Sequence, residues 1–261
     1  MKWQERHLGL KPVAERKFVE KDELANIAEE YINLDLLKNF CPIGSQPIKI
    51  SKNLEVAISK KIKRIALAQD EAFHFYYAAN FSWLKERFVE IIKFSPLNDD
   101  QVPENVDAMI LGGGFPEIFA EKISINKKML DSLKKTVESG IPCYAECGGL
   151  MVLSKGLKLN SREILSMAGV VPGLVEMSTQ LQNFGYCKIF SAEYGEIRGH
   201  EFHYSTWSEE SESANLWDVI RNSTGTIRKE GYSMSNLHAS YVHLYFPQAS
   251  KFLSNFFKLT Q

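Results

Sequence analysis

The chain has 261 residues, 44% hydrophobic and 24% charged, with a formal net charge of −1. This is the composition of an ordinary globular protein of one large domain, or one domain with a smaller piece attached. It excludes the strong field of a nucleic-acid or anionic-membrane binder, and no apolar stretch is long enough to span a bilayer.

The first ten residues lack the hydrophobic region of a signal peptide. The four cysteines (Cys41, Cys143, Cys147 and Cys187) show no metal-finger spacing, which predicts free thiols in a reducing cytoplasm. Residues 21–39 carry Leu24, Ile27, Ala28, Tyr31, Ile32, Leu34 and Leu37, a loosely helical spacing with charges between. Cys41-Pro-Ile-Gly-Ser-Gln-Pro47 then reads as a helix stop and linker, with a domain boundary near residue 60.

From Lys63 strands and helices alternate. Residues 64–68 predict a buried strand. Asn80 is positioned to cap a helix whose face is Phe81, Leu84 and Phe88. Residues 89–94 and 106–111 predict two more strands, the latter running into Gly112-Gly-Gly114. Ile125, Met129, Leu133 and Val137 fall at four-residue steps on one helix face, with Gly140 as terminator. Residues 141–145 form a fourth strand. This order predicts a parallel sheet covered on both sides. Beyond Gly156 the segments 168–171, 185–190, 197–204 and 240–246 read as short strands that extend the sheet as a more antiparallel half. Residues 249–259 read as a closing helix.

The most informative stretch is Ile141-Pro-Cys-Tyr-Ala-Glu-Cys-Gly-Gly-Leu-Met-Val-Leu153. An apolar run ends at Cys147, two glycines follow, and a helix-like run begins. This is the layout of a nucleophile elbow, with the helix N-terminus favouring a thiolate. A lone cysteine is more often a small buried hydrophobe; the paired glycines favour the nucleophile here. Gly112-Gly-Gly114 follows a strand end and exposes backbone N–H groups suited to an oxyanion hole, although a tight loop needs such glycines too. A lone histidine in an apolar strand is more often structural than catalytic; His243, also at an expected strand end, gains weight because a cysteine nucleophile needs a base or cationic partner nearby. Near these ends, Asp70, Glu71 and Glu117 read equally as site residues or loop caps. Phe73, Phe75, Tyr76 and Tyr77 read as packing, with a macrocycle or domain contact as the alternative. His200, Glu201 and His203 invite a metal reading, but on a strand His200 and His203 face opposite ways, so no metal site is expected.

Six segments carry a resemblance. They are Ile65-Ala-Leu-Ala-Gln-Asp-Glu-Ala-Phe-His-Phe-Tyr-Tyr77, Phe94-Ser-Pro-Leu97, Leu111-Gly-Gly-Gly-Phe-Pro-Glu117, Tyr144-Ala-Glu-Cys-Gly-Gly-Leu150, Arg198-Gly-His-Glu-Phe-His-Tyr-Ser205 and Ser240-Tyr-Val-His243. In this order, over about residues 63 to 250, the chain resembles the cobyrinic acid a,c-diamide synthase family, the corrinoid-pathway branch of class I glutamine amidotransferases. The resemblance implies an α/β fold of the class I amidotransferase (flavodoxin-like) kind: a mixed sheet flanked by helices over residues 61–261, with a short N-terminal helical remnant. It implies a glutaminase with Cys147 as nucleophile and His243 as its activator, and an oxyanion hole from Gly113, Gly114 and the N–H of Gly148. Many class I enzymes place a glutamate two residues after the histidine; here that position is Tyr245. The resemblance therefore implies a Cys–His dyad, a histidine oriented from elsewhere, and slow turnover unless a partner or substrate aligns the site.

Full-length members of that family carry an N-terminal ATP-binding domain. Arg6-His-Leu-Gly-Leu10 and the following helix resemble its last segment, so residues 1–60 read as a C-terminal remnant of that domain plus linker. No Gly-x-x-x-x-Gly-Lys-Ser/Thr loop occurs in the sequence. No cofactor is expected on this chain; ATP and Mg belong to the missing domain. The implied partners are glutamine, a corrinoid or related tetrapyrrole carboxylate, and a separate ATP-binding subunit, with no nucleic acid and no membrane. Two other readings stay open: an orphaned, non-catalytic domain acting as a binding subunit, and a cysteine hydrolase of the wider elbow-containing superfamily.

Overall fold

The computed structural model describes residues 21–40, 63–87, 89–160, 163–191, 193–208 and 216–259. The chain divides into two compact units, Met1–Ser59 and Lys60–Gln261. In the first, the helix predicted over 21–39 is two helices, α1 (Lys21–Tyr31) and α2 (Leu34–Phe40). The break falls at Asn33, whose side-chain oxygen accepts the Leu36 N–H at 2.8 Å and so caps the second helix. The segments at 6–10 and 41–47 lie outside the described residues.

The second unit begins with β1 (Lys63–Ala68), β2 (Phe73–Phe75), α3 (Ala78–Lys85), β3 (Val89–Phe94), β4 (Ala108–Leu111) and the two-residue β5 (Gly113–Gly114). There follow α4 (Ala120–Ile125), α5 (Lys127–Glu138), β6 (Cys143–Glu146) and α6 (Gly148–Leu153). The later part is β7 (Ser154–Lys158), β8 (Ile164–Ser166), β9 (Val171–Met177), β10 (Asn183–Ser191), β11 (Gly195–His203), β12 (Ser205–Trp207) and β13 (Trp217–Arg221). It closes with β14 (Ile227–Glu230), β15 (Tyr232–Ser233), β16 (Leu237–Ser240), β17 (His243–Leu244) and α7 (Ser250–Phe256).

The central sheet has the order β15-β16-β6-β4-β1-β3. All its neighbours are parallel except β15, which runs antiparallel on the edge of β16. Counting only the parallel strands along the chain, the order is the flavodoxin-like 2-1-3-4-5. Period-two alternation explains the burial of both faces. Ala66, Ala68, Met109, Leu111, Cys143 and Ala145 face one core, with Met129, Leu133 and Val137 of α5. Ile65, Leu67, Ala108, Ile110 and Tyr144 face the other, with Trp83 and Leu84 of α3 and Leu253 of α7. Among the described residues no helix is long and apolar enough to cross a membrane.

Several sequence expectations are corrected. Asn80 does not cap its helix. Tyr77 takes the cap position, and Asn80 lies inside α3, buried, accepting the Phe246 N–H at 2.9 Å and donating to the Leu244 carbonyl at 3.2 Å. Its polar side chain thus serves a distant loop. Phe88 lies outside the described residues. The helix predicted from Ile125 is split by Asn126, whose side chain caps α5 by accepting from the Met129 N–H; Ile125 ends α4 and is 77% exposed. The later strands do not extend the central sheet, apart from β15 and β16. They form an antiparallel sheet β14-β13-β10-β11-β17 and a mixed one, β12-β9-β7-β8. Within the predicted strand 240–246 the chain bends after Ser240, so β16 pairs with β6 and β17 with β11.

Candidate active site

The carboxyl ends of β1, β4, β6 and β16 lie on one edge of the parallel sheet, where open α/β sheets build their sites. After Glu146, the last residue of β6, Cys147 turns with φ 46° and ψ −100° and leads into α6. A non-glycine residue in that region costs roughly 1–3 kcal/mol and persists only where its surroundings hold it. Three backbone bonds hold it here. The Cys147 N–H donates to the Ser240 carbonyl at 2.7 Å, the Gly149 N–H to the Gly112 carbonyl at 3.1 Å, and the Met151 N–H to the Cys147 carbonyl at 3.1 Å. Cys147 is 6% exposed.

His243 reaches the same place through strand register. Ser240 pairs with Glu146 across β16 and β6, and three residues later His243 opens β17 opposite His200 of β11. Burial alone would lower the His243 pKa, but hydrogen bonding to Cys147 and the neighbouring Glu146 outweigh it and raise it to about 10. The imidazole is therefore a cationic partner for the thiol at neutral pH. Its Nδ1 lies 3.5 Å from Oε2 of Glu146. The His200 ring lies 4.8 Å from that of His243. Burial first, then the neighbouring imidazole, lower the His200 pKa to about 4, so it stays neutral.

The glycine loop closes the site. A methyl group on Gly113 would lie 2.4 Å from Cε1 of His243, so the bare backbone there is what lets the ring approach. A methyl group on Gly148 would lie 2.9 Å from Pro116 and 3.4 Å from the Gly114 nitrogen. Cys147, His243, Gly113, Gly114 and Gly148 are thus gathered in one place.

Sequence reasoning missed Glu146. It looked for a carboxylate after the histidine, where Tyr245 is 46% exposed and meets Tyr77 edge-on at 6.1 Å. The carboxylate near His243 instead precedes the cysteine. Its signal was the alternation of β6, which puts Tyr144 and Glu146 on one face. The aromatic cluster is only partly packing. Phe73 is buried, and Tyr76 donates to the Ala68 carbonyl and accepts the Gly112 N–H at 3.0 Å. Phe75 meets His243 edge-on at 5.2 Å, and Tyr77 shares a 3.0 Å hydrogen bond with Nδ1 of His200. Phe75 and Tyr77 therefore wall the site.

Asp70 organises its loop, accepting from the N–H groups of Ala72, Phe73 and Leu97 and from the Ser95 hydroxyl. Glu71 is exposed, and Glu117 lies in a 3-10 turn over Pro116–Phe119. Glu201 pairs with Arg228 and lies 3.6 Å from Nε2 of His203, whose ring stacks on Tyr241 at 4.0 Å. Among the described residues no group of His, Cys, Asp and Glu converges as metal ligands.

Residues 64–251 match the CobB/CobQ-like glutamine amidotransferase domain. The cobyrinate a,c-diamide synthase of Caldanaerobacter subterraneus subsp. tengcongensis is 41% identical over 251 residues, covering 92% of this chain and 54% of that protein. The protein of the same name from Listeria innocua serovar 6a is 39% identical over 266 residues, covering 97% of this chain and 58% of its own length. The chain spans about half the length of the curated relatives it matches. A crystal structure of a glutamine amidotransferase superposes with a TM-score of 0.52 at 17% identity, covering 75% of this chain and 97% of that one, so the fold is shared.

Proposed function

The chain belongs to the CobB/CobQ-like glutamine amidotransferase family, and on that premise we propose that it hydrolyses glutamine and supplies the ammonia that amidates carboxylates on a corrinoid or related tetrapyrrole. The Cys147 sulfur attacks the side-chain carbonyl carbon of glutamine. The resulting oxyanion is received by backbone N–H groups of the Gly113–Gly114 loop and of Gly148. As the carbon–nitrogen bond breaks, His243 gives its proton to the departing nitrogen. It then takes a proton from the water that cleaves the thioester, which releases glutamate and restores the thiol.

The observation that carries this reading is the junction of a strained cysteine turn with a buried imidazole hydrogen-bonded to the same cysteine, beside glycines whose bare backbones let the ring and the loop close in on the turn. The acceptor class is inferred from the relatives named cobyrinate a,c-diamide synthase. Activation of the acceptor carboxylate by ATP and Mg is assigned to a separate ATP-binding domain or subunit.

The test is ammonia release from glutamine by the full chain, with Cys147→Ala as control, and labelling by a glutamine-analogue electrophile. Release that disappears in the variant, with the label on Cys147, is the expected result. No release and no label, with or without an ATP-binding partner, would leave a non-catalytic binding subunit as the better reading. Labelling only by peptide-like electrophiles would favour a cysteine hydrolase.

A further inference from the structure

Resting on the glutaminase reading above, we propose that Glu146 is the positioning carboxylate of the site: it grips both the backbone and the ring of the His243 strand, and so holds the imidazole against Cys147. Glu146 is 5% exposed at the end of β6. Its Oε1 accepts two hydrogen bonds, from the Tyr144 hydroxyl at 2.6 Å and from the Leu244 N–H at 2.8 Å. Leu244 is the residue after His243. The other oxygen, Oε2, is turned to Nδ1 of His243 at 3.5 Å. That separation suits an ion pair and is slightly long for a hydrogen bond.

The first oxygen is itself fixed. Tyr144 is fully buried and stacks on His238 at 4.8 Å and 9°, so its hydroxyl has little freedom to turn away from Glu146. The groups around His243 are Cys147, Glu146 of β6, Phe75 of β2 and His200 of β11. His200 shares Nδ1 with Tyr77 and is held neutral, so it cannot orient the ring by charge. Glu146 is the carboxylate that can.

The consequence for proton transfer follows from the tautomer. With Nδ1–H directed at Oε2, the other imidazolium proton is held on Nε2, the nitrogen left to serve the Cys147 sulfur. The imidazolium then keeps Nδ1–H on Glu146 and passes the Nε2 proton to the leaving nitrogen; no proton moves onto the carboxylate. A glutamine at position 146 keeps an oxygen for Tyr144 and Leu244 but turns an NH₂ group toward Nδ1. That favours the opposite tautomer, with the proton on the wrong nitrogen.

The test uses the full chain with Glu146→Gln and Glu146→Asp and three readouts: glutamine turnover, the pH dependence of Cys147 alkylation by iodoacetamide, and titration of the His243 imidazole by NMR. For Glu146→Gln, kcat should fall roughly a hundredfold, with KM changed less than about threefold. The His243 titration should move down by about one to three pH units, and the alkylation profile should shift with it. Glu146→Asp keeps the charge and should recover part of the loss. Wild-type kcat in Glu146→Gln, or an unmoved His243 titration, overturns the proposal. If Glu146→Gln does not fold, Glu146→Asp decides: an intermediate loss supports the role, and wild-type behaviour in all three readouts sinks it. If the wild type releases no ammonia from glutamine, the glutaminase reading fails by itself. Alkylation and NMR, which use no glutamine, still judge Glu146.

Discussion

Ser240 and Cys147 are joined through their backbones, the cysteine N–H donating to the serine carbonyl at 2.7 Å. The elbow is therefore clamped to the strand that leads into His243. The turn after Ser240 is anchored in its own right by Glu230, which accepts from the Ser240 hydroxyl at 2.6 Å, the Tyr241 N–H at 2.7 Å and the Trp217 indole N–H at 3.2 Å.

That anchor can be removed. Glu230→Ala leaves three buried donors without a partner, and each such group costs about 1–3 kcal/mol when unsatisfied. A loss of roughly 3 kcal/mol or more is expected in urea unfolding, together with slower glutamine turnover as the His243 turn loosens. A variant as stable as the wild type would show that the turn is held by something else.

Gly113→Ala should damage the site at its centre. The added methyl would meet the His243 ring at 2.4 Å, and that ring is only 4% exposed, with little space to retreat. Overpacking of this kind costs about 1–3 kcal/mol. The expected outcome is a modest drop in melting temperature with a loss of turnover much larger than that drop would explain.

The thiols should differ sharply in reactivity. Burial pushes Cys143 and Cys187 up to about 12, which leaves only ~1 in 10⁵ molecules ionised at neutral pH. Limiting iodoacetamide followed by peptide mapping should find the label on Cys147 and not on these two. Equal labelling of all three in the folded protein would contradict the assignment.

Stability should respond to pH through His243. Its pKa is 6.5 in an unfolded chain and about 10 in the folded protein. The folded state holds the proton more tightly, so this contribution is complete below about pH 6.5 and is lost as pH rises toward about 10. Melting temperatures of the wild type and His243→Gln, compared from about pH 6 to 10, should converge as pH rises. A gap that widens instead would reverse the sign and refute the charged imidazole.

Much of this arrangement is legible in the residues themselves. Ile65, Leu67, Ala108 and Ile110 alternate with Ala66, Ala68, Met109 and Leu111 in short, wholly apolar runs, which is how strands buried on both faces read. Cys147 and Gly112–Gly114 are visible because each ends such a run. What cannot be read is register between distant segments. His200 meets His243 only because β11 and β17 pair in one alignment, and the membership of β10 and β11 in a separate sheet leaves no local mark. Asn80 misleads for a related reason: its amide satisfies backbone groups more than 160 positions away, and a helix-capping pattern records only near neighbours. Glu146 was hidden by its position, since a search for a third catalytic group looks across the fold and not one residue before the nucleophile.

The dihedral angles of Cys147 have a last implication, for protein engineering. Glycine would sit at that bend without strain, but it would surrender the sulfur and the hydrogen bond that the buried His243 makes to it. Cys147→Gly should therefore set backbone relief against a lost partner and yield an inert protein. A heat-resistance screen at this position needs an activity check beside it.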